Sequence, residues 1–238
     1  MSDFRRFFVP IVTDNTLIDG EEFRHAVSVL RIKVGERVIL CDNSGVEYLG
    51  EVSEINKKDL IVKVTEKRNS QTEAKEEVIL ISGYLKGDKT ELVVQKAVEL
   101  GVKKIVVFNS KFCSAYMNEN KLSRLNRVSV ESAKQCGRAI APEVIYADSL
   151  EEALEIGRKC NNKLFACEFA DKNEVEFSSL KGSTCIVVGS EGGFSKEEWD
   201  LAVEKGYKTI YLGKRILRAE TASIALASIV MNALGEFE

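Results

Sequence analysis

Histidine is nearly absent from this chain of 238 residues: His25 stands alone. That scarcity argues against hydrolase triads and multi-histidine metal centres, because both need an imidazole beside the nucleophile or the metal. The six cysteines, Cys41, Cys113, Cys136, Cys160, Cys167 and Cys185, include no C-x-x-C pair, so zinc-ligand spacing is missing as well. No metal is expected, and free thiols in a reducing compartment are the simpler reading. No stretch reaches the ~18 uncharged apolar residues of a membrane span. Residues Met1 to Arg6 lack the apolar core of a signal peptide. The expected location is therefore the cytoplasm, with no membrane partner. What remains attractive is chemistry carried by a cofactor.

Hydrophobic residues make up 45% of the chain, enough for a sizeable core. The net charge of −3 hides an uneven distribution. Residues 103–138 carry eight basic side chains against two acidic ones, residues 139–204 six against fourteen, and residues 205–218 five against none. A nucleic-acid partner is compatible with those two basic blocks, which the overall charge alone would not suggest.

From Glu66 to Glu77 the only apolar side chain is Ala74, so this run reads as an interdomain connection that holds no half-buried strand. We take residues 1–68 as a small β-rich domain with one helix near Glu21–Leu30, 69–77 as the linker and 78–238 as the larger domain. Before the linker, Arg37–Cys41, Val46–Ile55 and Leu60–Thr65 are β-rich, with turn residues at Asp42 to Gly45. After it, apolar runs alternate with helical patterns. That order means an α/β fold around a mostly parallel sheet, with ligands expected beyond the carboxyl ends of its strands.

Two loops at such positions stand out. Cys185-Ile186-Val187-Val188 leads into Gly189-Ser190-Glu191-Gly192-Gly193-Phe194, and Ser195 with Glu198 then forms a capping box. The glycines allow close backbone approach to a ligand, but the spacing is neither that of a P-loop nor that of a dinucleotide fingerprint. A small-molecule site and an ordinary tight turn both fit. Glu191 would hydrogen-bond nearby loop amides or serve as a base, and the first is the commoner role. The second loop is Tyr211-Leu212-Gly213-Lys214-Arg215-Ile216-Leu217-Arg218-Ala219-Glu220-Thr221. If its strand neighbours the first, the two would form a cup, with Leu212, Ile216 and Leu217 available to hold a flat purine. Arg218 is then the nearest cation, unless it is a surface arginine or pairs with Glu220.

Lys121, Arg124, Arg127, Glu131, Lys134 and Arg138 recur at helical steps along one face. This is a solvated stripe or a phosphate contact; five cations to one acid favour the latter. Lys86 and Lys89 lie between a strand and a helix, where Asp88 or Thr90 would cap the helix. In the small domain, Arg5, Arg6, His25 and Arg31 are further candidates for RNA contact, against the alternative of a structural histidine. The last helix, Thr221 to Leu234, is almost wholly apolar or small, which suits a central core helix or a homodimer interface.

Gly189 to Ser195 together with Leu212 to Ala222 resemble the signature of RsmE-type 16S ribosomal RNA uridine N3-methyltransferases. Lys86-Gly87-Asp88-Lys89, Gln95 to Gly101, Gln135-Cys136-Gly137-Arg138 with Pro142, and His25 with Val29 to Gly35 extend the resemblance over essentially the whole chain. It implies a SPOUT-type C-terminal domain with a deep trefoil knot holding S-adenosyl-L-methionine, an N-terminal PUA-like RNA-binding β-barrel, and a homodimer. The implied activity is methylation of N3 of a specific uridine in 16S rRNA of the small ribosomal subunit. Gly189, Glu191, Gly192, Leu212, Gly213, Ile216, Leu217 and Arg218 become the expected cofactor positions, and Arg138 and Arg218 the catalytic cations. Arg5, Arg6, His25, Arg31, Lys86, Lys89, Arg124, Arg127 and Lys134 become the expected RNA contacts. Two departures stand in the chain: Ser190 where proline is usual, and Phe112 where an arginine is usual. The rival functions are a catalytically silent RNA-binding protein of the same fold and a nucleotide-dependent enzyme of another kind.

Overall fold

The computed structural model describes residues 4–113, 115–168 and 172–237, so the first three residues of the N-terminal reading lie outside it. The chain divides into two compact units, residues 1–73 with 133–141, and residues 74–132 with 142–238.

The first unit holds β1 (Arg5–Phe8), β2 (Asn15–Ile18), α1 (Gly20–Arg24), β3 (Arg37–Cys41), β4 (Val46–Ile55) and β5 (Leu60–Asn69). They form one sheet in the order β1-β3-β4-β5-β2. Alternating burial in β2 puts Thr16 and Ile18 inside and leaves Asn15 and Leu17 outside, as a half-buried strand requires. Phe7, Ile18, Val38, Leu40, Val52, Leu60 and Val62 are the centre of its core. The expected helix near Glu21–Leu30 is split: α1 passes into a π-helical turn at His25–Val29, and Arg31 follows with a left-handed φ of 52°. The polar run after Glu66 is also corrected. Glu66, Lys67, Arg68 and Asn69 continue β5, paired with Leu49, Tyr48, Glu47 and Val46 of β4. Backbone pairing with a long neighbour carries this exposed stretch without an apolar face.

The second unit is built on β6 (Val78–Gly83), β7 (Lys104–Phe108), β8 (Val144–Ala147), β9 (Asn162–Ala166), β10 (Thr184–Val188) and β11 (Lys208–Ile210). Their order is β11-β9-β10-β6-β7-β8, and every pairing is parallel. The two central strands, β6 and β10, are buried at every residue, as expected for a parallel sheet covered on both faces. The helices are α2 (Lys89–Glu99), α3 (Glu119–Cys136), α4 (Leu150–Ile156), α5 (Lys196–Glu204) and α6 (Ala219–Ala233). The last four residues of α3 are grouped with the first unit. α6 buries Ala222, Ser223, Leu226, Ala227, Val230 and Met231, and packs on α2, β6 and β10. Its other side, with Ile224, Ala225, Ser228 and Ile229, remains partly open, so the described residues do not surround this apolar helix.

Candidate active site

All six strands of the larger sheet run the same way, so their carboxyl ends open into loops on one edge. Gly83 ends β6 where only hydrogen fits: a Cβ there would lie 2.5 Å from the Ser190 nitrogen and 2.8 Å from the Gly189 carbonyl carbon. The glycine loop after β10 therefore rests backbone-on-backbone against β6. Gly192 plays the same part toward the loop after β7, since its Cβ would meet the Phe112 oxygen at 2.9 Å. Phe194 anchors the loop from below, its ring centroid 4.1 Å from that of Phe165. The expected capping box closes the segment: Ser195 N–H donates to Glu198 Oε2 at 2.7 Å, and Glu198 N–H donates to Ser195 Oγ at 3.3 Å.

Side chains lock these loops together. Ser110 and Ser190 share a buried hydroxyl–hydroxyl bond of 2.8 Å. The Ser110 N–H donates to Cys113 Sγ at 3.2 Å, and that thiol donates to the Tyr84 carbonyl at 3.4 Å. Glu191 Oε1 accepts from the Lys86 N–H and from Lys89 Nζ, both at 3.1 Å. Burial pushes the Glu191 carboxyl up, but the amides of Glu191 and Lys86 and the Lys89 ammonium outweigh it and hold the group below the usual carboxylate value. Glu191 thus takes the amide-binding role that its place in the loop suggested.

The second loop leaves β11 and ends at Arg218, three residues short of the expected Thr221, because α6 begins at Ala219. That strand is not β10's neighbour, because β9 lies between them. The face-to-face arrangement conditioned on adjacency is therefore corrected: both loops leave the same edge, one strand apart. Tyr211 N–H donates to Asn173 Oδ1 at 2.6 Å. Gly213 has φ +88° with open space where a Cβ would stand, Leu212 and Leu217 are half-buried, and Ile216 is fully exposed. Arg218 is exposed and N-caps α6 without a side-chain bond. Among the described residues it forms no ion pair with Glu220, which is buried with its Oε2 unpartnered.

The expected RNA-contact and catalytic cations are distributed over both units. In the larger one, Lys86 is exposed, Lys89 pairs with Glu191, Arg124 is exposed and pairs with Glu91 at 2.9 Å, and Arg127 is exposed. In the smaller one, Arg31 is exposed, His25 is half-buried and Arg5 pairs with Glu36. Arg6 is buried between Glu47 at 2.8 Å and the Cys41 thiol at 3.2 Å. Lys134 pairs with Glu22 at 2.6 Å. Arg138 is only 2% exposed and donates to Glu73 Oε2 through Nε at 3.1 Å and Nη2 at 2.8 Å. Ser110, Tyr84 and Glu73 were missed by sequence reasoning, since each acquires its place from residues distant in the chain, and Glu220 was weighed only as a partner for Arg218.

Comparison with known proteins divides the chain in two along the sequence, with residues 133–141 of the smaller unit falling in the second match. A family described as the RNA methyltransferase PUA domain matches residues 18–65, and one described as the RNA methyltransferase domain matches residues 72–231. The chain belongs to the RNA methyltransferase domain family. Within it, the chain is 34% identical over 224 residues to the ribosomal RNA small subunit methyltransferase E of Mesomycoplasma hyopneumoniae, covering 93% of this chain and 96% of that one. The Bacillus subtilis protein of that name is 31% identical over 225 residues, covering 90% and 88%. Among solved structures, the Neisseria gonorrhoeae ribosomal RNA small subunit methyltransferase E bound to S-adenosyl methionine superposes with a TM-score of 0.85 at 26% identity, covering 99% of this chain and all of that one. The RNA methyltransferase match contains both loops, Lys86, Lys89, Arg124, Arg127 and Arg138; the PUA match contains His25 and Arg31.

Proposed function

We propose that this RNA methyltransferase transfers a methyl group from S-adenosyl-L-methionine to N3 of one uridine in 16S rRNA of the small ribosomal subunit. The observation that carries the reading is the pair of loops at the sheet's carboxyl edge, in a chain whose relatives over nearly its full length are small-subunit ribosomal RNA methyltransferases.

The residues present suit that cofactor. Gly83, Gly189 and Gly192 bring backbone to within contact distance around one point of the edge. Gly213 leaves space where a side chain would stand, with aliphatic Leu212, Ile216 and Leu217 beside it. A buried carboxylate oxygen of Glu220 lacks a partner, which fits a ligand that is itself cationic. Gly189, Glu191, Gly192, Leu212, Gly213, Ile216, Leu217 and Arg218 would hold it, and when bound it supplies the methyl electrophile.

For their part, the protein's side chains must seat the uracil with N3 in line with that methyl group, and positioning of this kind supplies much of the rate. N3 must also lose its proton. A guanidinium beside the uracil oxygens would stabilise the anion that develops, and Arg218 or Arg138 takes that role. Arg218 is exposed and free to turn toward a base, whereas Arg138 would have to exchange Glu73 for it. The RNA backbone is met by Arg5, Arg6, His25, Arg31, Lys86, Lys89, Arg124, Arg127 and Lys134, with the ion-paired members exchanging carboxylate for phosphate.

The trefoil knot, the PUA-like barrel and the homodimer belong to the same reading, the last supported by the half-open apolar side of α6. So does action in the cytoplasm. Among the described residues no helix is long and apolar enough to cross a membrane. The test is calorimetric titration with S-adenosylmethionine and with NAD, followed by mapping of methylated uridine in small-subunit RNA treated with the protein. Saturable binding of S-adenosylmethionine alone and a new N3-methyluridine are expected. Binding of neither would leave a silent RNA-binding protein.

A further inference from the structure

Three buried side-chain oxygens lack a hydrogen-bond partner among the described residues: Glu22 Oε2, Asn109 Oδ1 and Glu220 Oε2. Their situations differ. The other oxygen of Glu22 accepts from Lys134, and Asn109 is a neutral amide already donating to the Tyr146 hydroxyl. Glu220 is a carboxylate, 9% exposed, in the first turn of α6 and two residues beyond the loop proposed to hold the cofactor. The positive end of the helix dipole favours a carboxylate there, but a dipole does not replace the hydrogen bond that the buried oxygen has given up to leave water. The unmet need is for a charged hydrogen-bond donor.

S-adenosylmethionine carries two positive charges of different kinds. The sulfonium has no N–H or O–H to donate; the α-ammonium has three N–H groups and forms charge-assisted bonds with carboxylates. We propose that Glu220 is a cofactor-binding residue whose free Oε2 accepts a hydrogen bond from the α-ammonium of S-adenosylmethionine. The inference rests on the cofactor assignment above and adds the group that selects the amino-acid end of the ligand. Its consequence is a ligand-dependent charge balance: the pocket is left with an uncompensated anion when free and is neutralised when loaded. Glu220 is then a determinant of affinity for the amino-acid end and leaves recognition of the adenosine end to the loop backbone.

The experiment compares the full-length protein with Glu220→Gln by calorimetric titration, using two probes that both lack the sulfonium. S-adenosylhomocysteine retains the α-ammonium, and 5′-methylthioadenosine lacks the amino-acid end altogether. Thermal unfolding of the unliganded proteins is recorded in parallel. Glu220→Gln is expected to weaken S-adenosylhomocysteine about tenfold or more, the loss expected for one charge-assisted bond, and to leave methylthioadenosine within about twofold of wild type. The free variant should melt at or above the wild-type temperature, because an amide replaces an unpaired charge. Glu220→Asp, which keeps the charge on a shorter arm, should lose S-adenosylhomocysteine affinity selectively and to a smaller extent, and it provides the same comparison if the glutamine variant does not fold. Equal weakening of both probes, unchanged binding of both, or a lower melting temperature without ligand selectivity would overturn the proposal, the last pointing to a helix-capping carboxylate. Failure of the wild-type protein to bind either probe would instead remove the cofactor assignment itself.

Discussion

Ser110 and Ser190, eighty residues apart, share a hydroxyl–hydroxyl hydrogen bond of 2.8 Å, and each is less than 7% exposed. The bond joins the loop after β7 to the glycine loop after β10. Proline, the usual residue at the second position in RsmE-type sequences, has no hydroxyl to share, so this chain secures the loop by a side chain.

Ser190→Ala should cost about 1 kcal/mol, because Ser110 keeps only the longer Cys113 contact of 3.4 Å. For a chain of this size that lowers the melting temperature by roughly 2–4 °C. Ser110→Ala should cost a similar amount, and the double variant less than the two together, since one shared bond is lost once. Strict additivity in thermal unfolding would show that the two hydroxyls are energetically independent.

The Glu191 tie to Lys86 and Lys89 has a pH dependence whose sign follows from the direction of its pKa shift. A carboxyl held below its ordinary value of 4.5 contributes stability that is fully present above that value and is lost as pH falls through the lowered one. The loop contact with Lys86 and Lys89 should thus persist from neutral pH down to about 4.5 and then weaken. Because Glu191 and Lys89 are each about a third exposed, the ion pair itself is worth only about 0.2–1 kcal/mol. Glu191→Gln should reduce S-adenosylmethionine affinity severalfold at neutral pH and flatten the acid limb. An acid limb of wild-type steepness in the variant would assign the effect to another group.

The site was legible where its determinants are local. β10, the glycine loop and the Ser195–Glu198 capping box fall within fifteen consecutive residues, and their pattern alone specifies a strand, a close backbone approach and a helix start. Long-range partners leave no such trace. Neither the Ser110–Ser190 bond nor the Arg138–Glu73 pair, sixty-five residues apart, has a periodicity to read. The continuation of β5 to Asn69 escaped notice for a related reason. A strand extended by pairing with β4 needs no apolar alternation, and Arg68 there serves to pair with Glu47. Strand order escaped too, because β9 is inserted between β10 and β11 although it precedes both in the chain.

Arg31 holds a φ of 52°, a conformation that costs a residue with a Cβ roughly 1 kcal/mol and that glycine adopts freely. It lies two residues past the π-helical turn His25–Val29, so its exposed side chain is presented by an unusual backbone. Arg31→Gly should leave stability unchanged or raise it by up to about 0.5 kcal/mol, the strain relief being partly offset by glycine's chain entropy. If Arg31 meets phosphate, the variant should bind RNA more weakly and its log–log salt dependence should become shallower by about one ion. Unchanged salt dependence would remove Arg31 from the RNA surface.

Arg138 demands a stability measurement before any kinetic one. Its guanidinium gives two bonds to Glu73 Oε2, while Glu73 Oε1 accepts from the Ala139 and Ile140 amides. Arg138→Ala would leave a largely buried carboxylate without its cation and should destabilise the protein by about 3–5 kcal/mol. Lost activity in that variant alone would therefore not identify a catalytic residue. Glu73→Gln separates the two roles, since it removes the carboxylate charge while keeping the arginine. With both variants assayed below their melting temperatures, a catalytic Arg138 predicts reduced turnover and near-wild-type cofactor affinity for Arg138→Ala, and retained turnover for Glu73→Gln. Equal loss of turnover in both, in step with their melting temperatures, would make the pair purely structural and leave Arg218 as the cation facing the uracil.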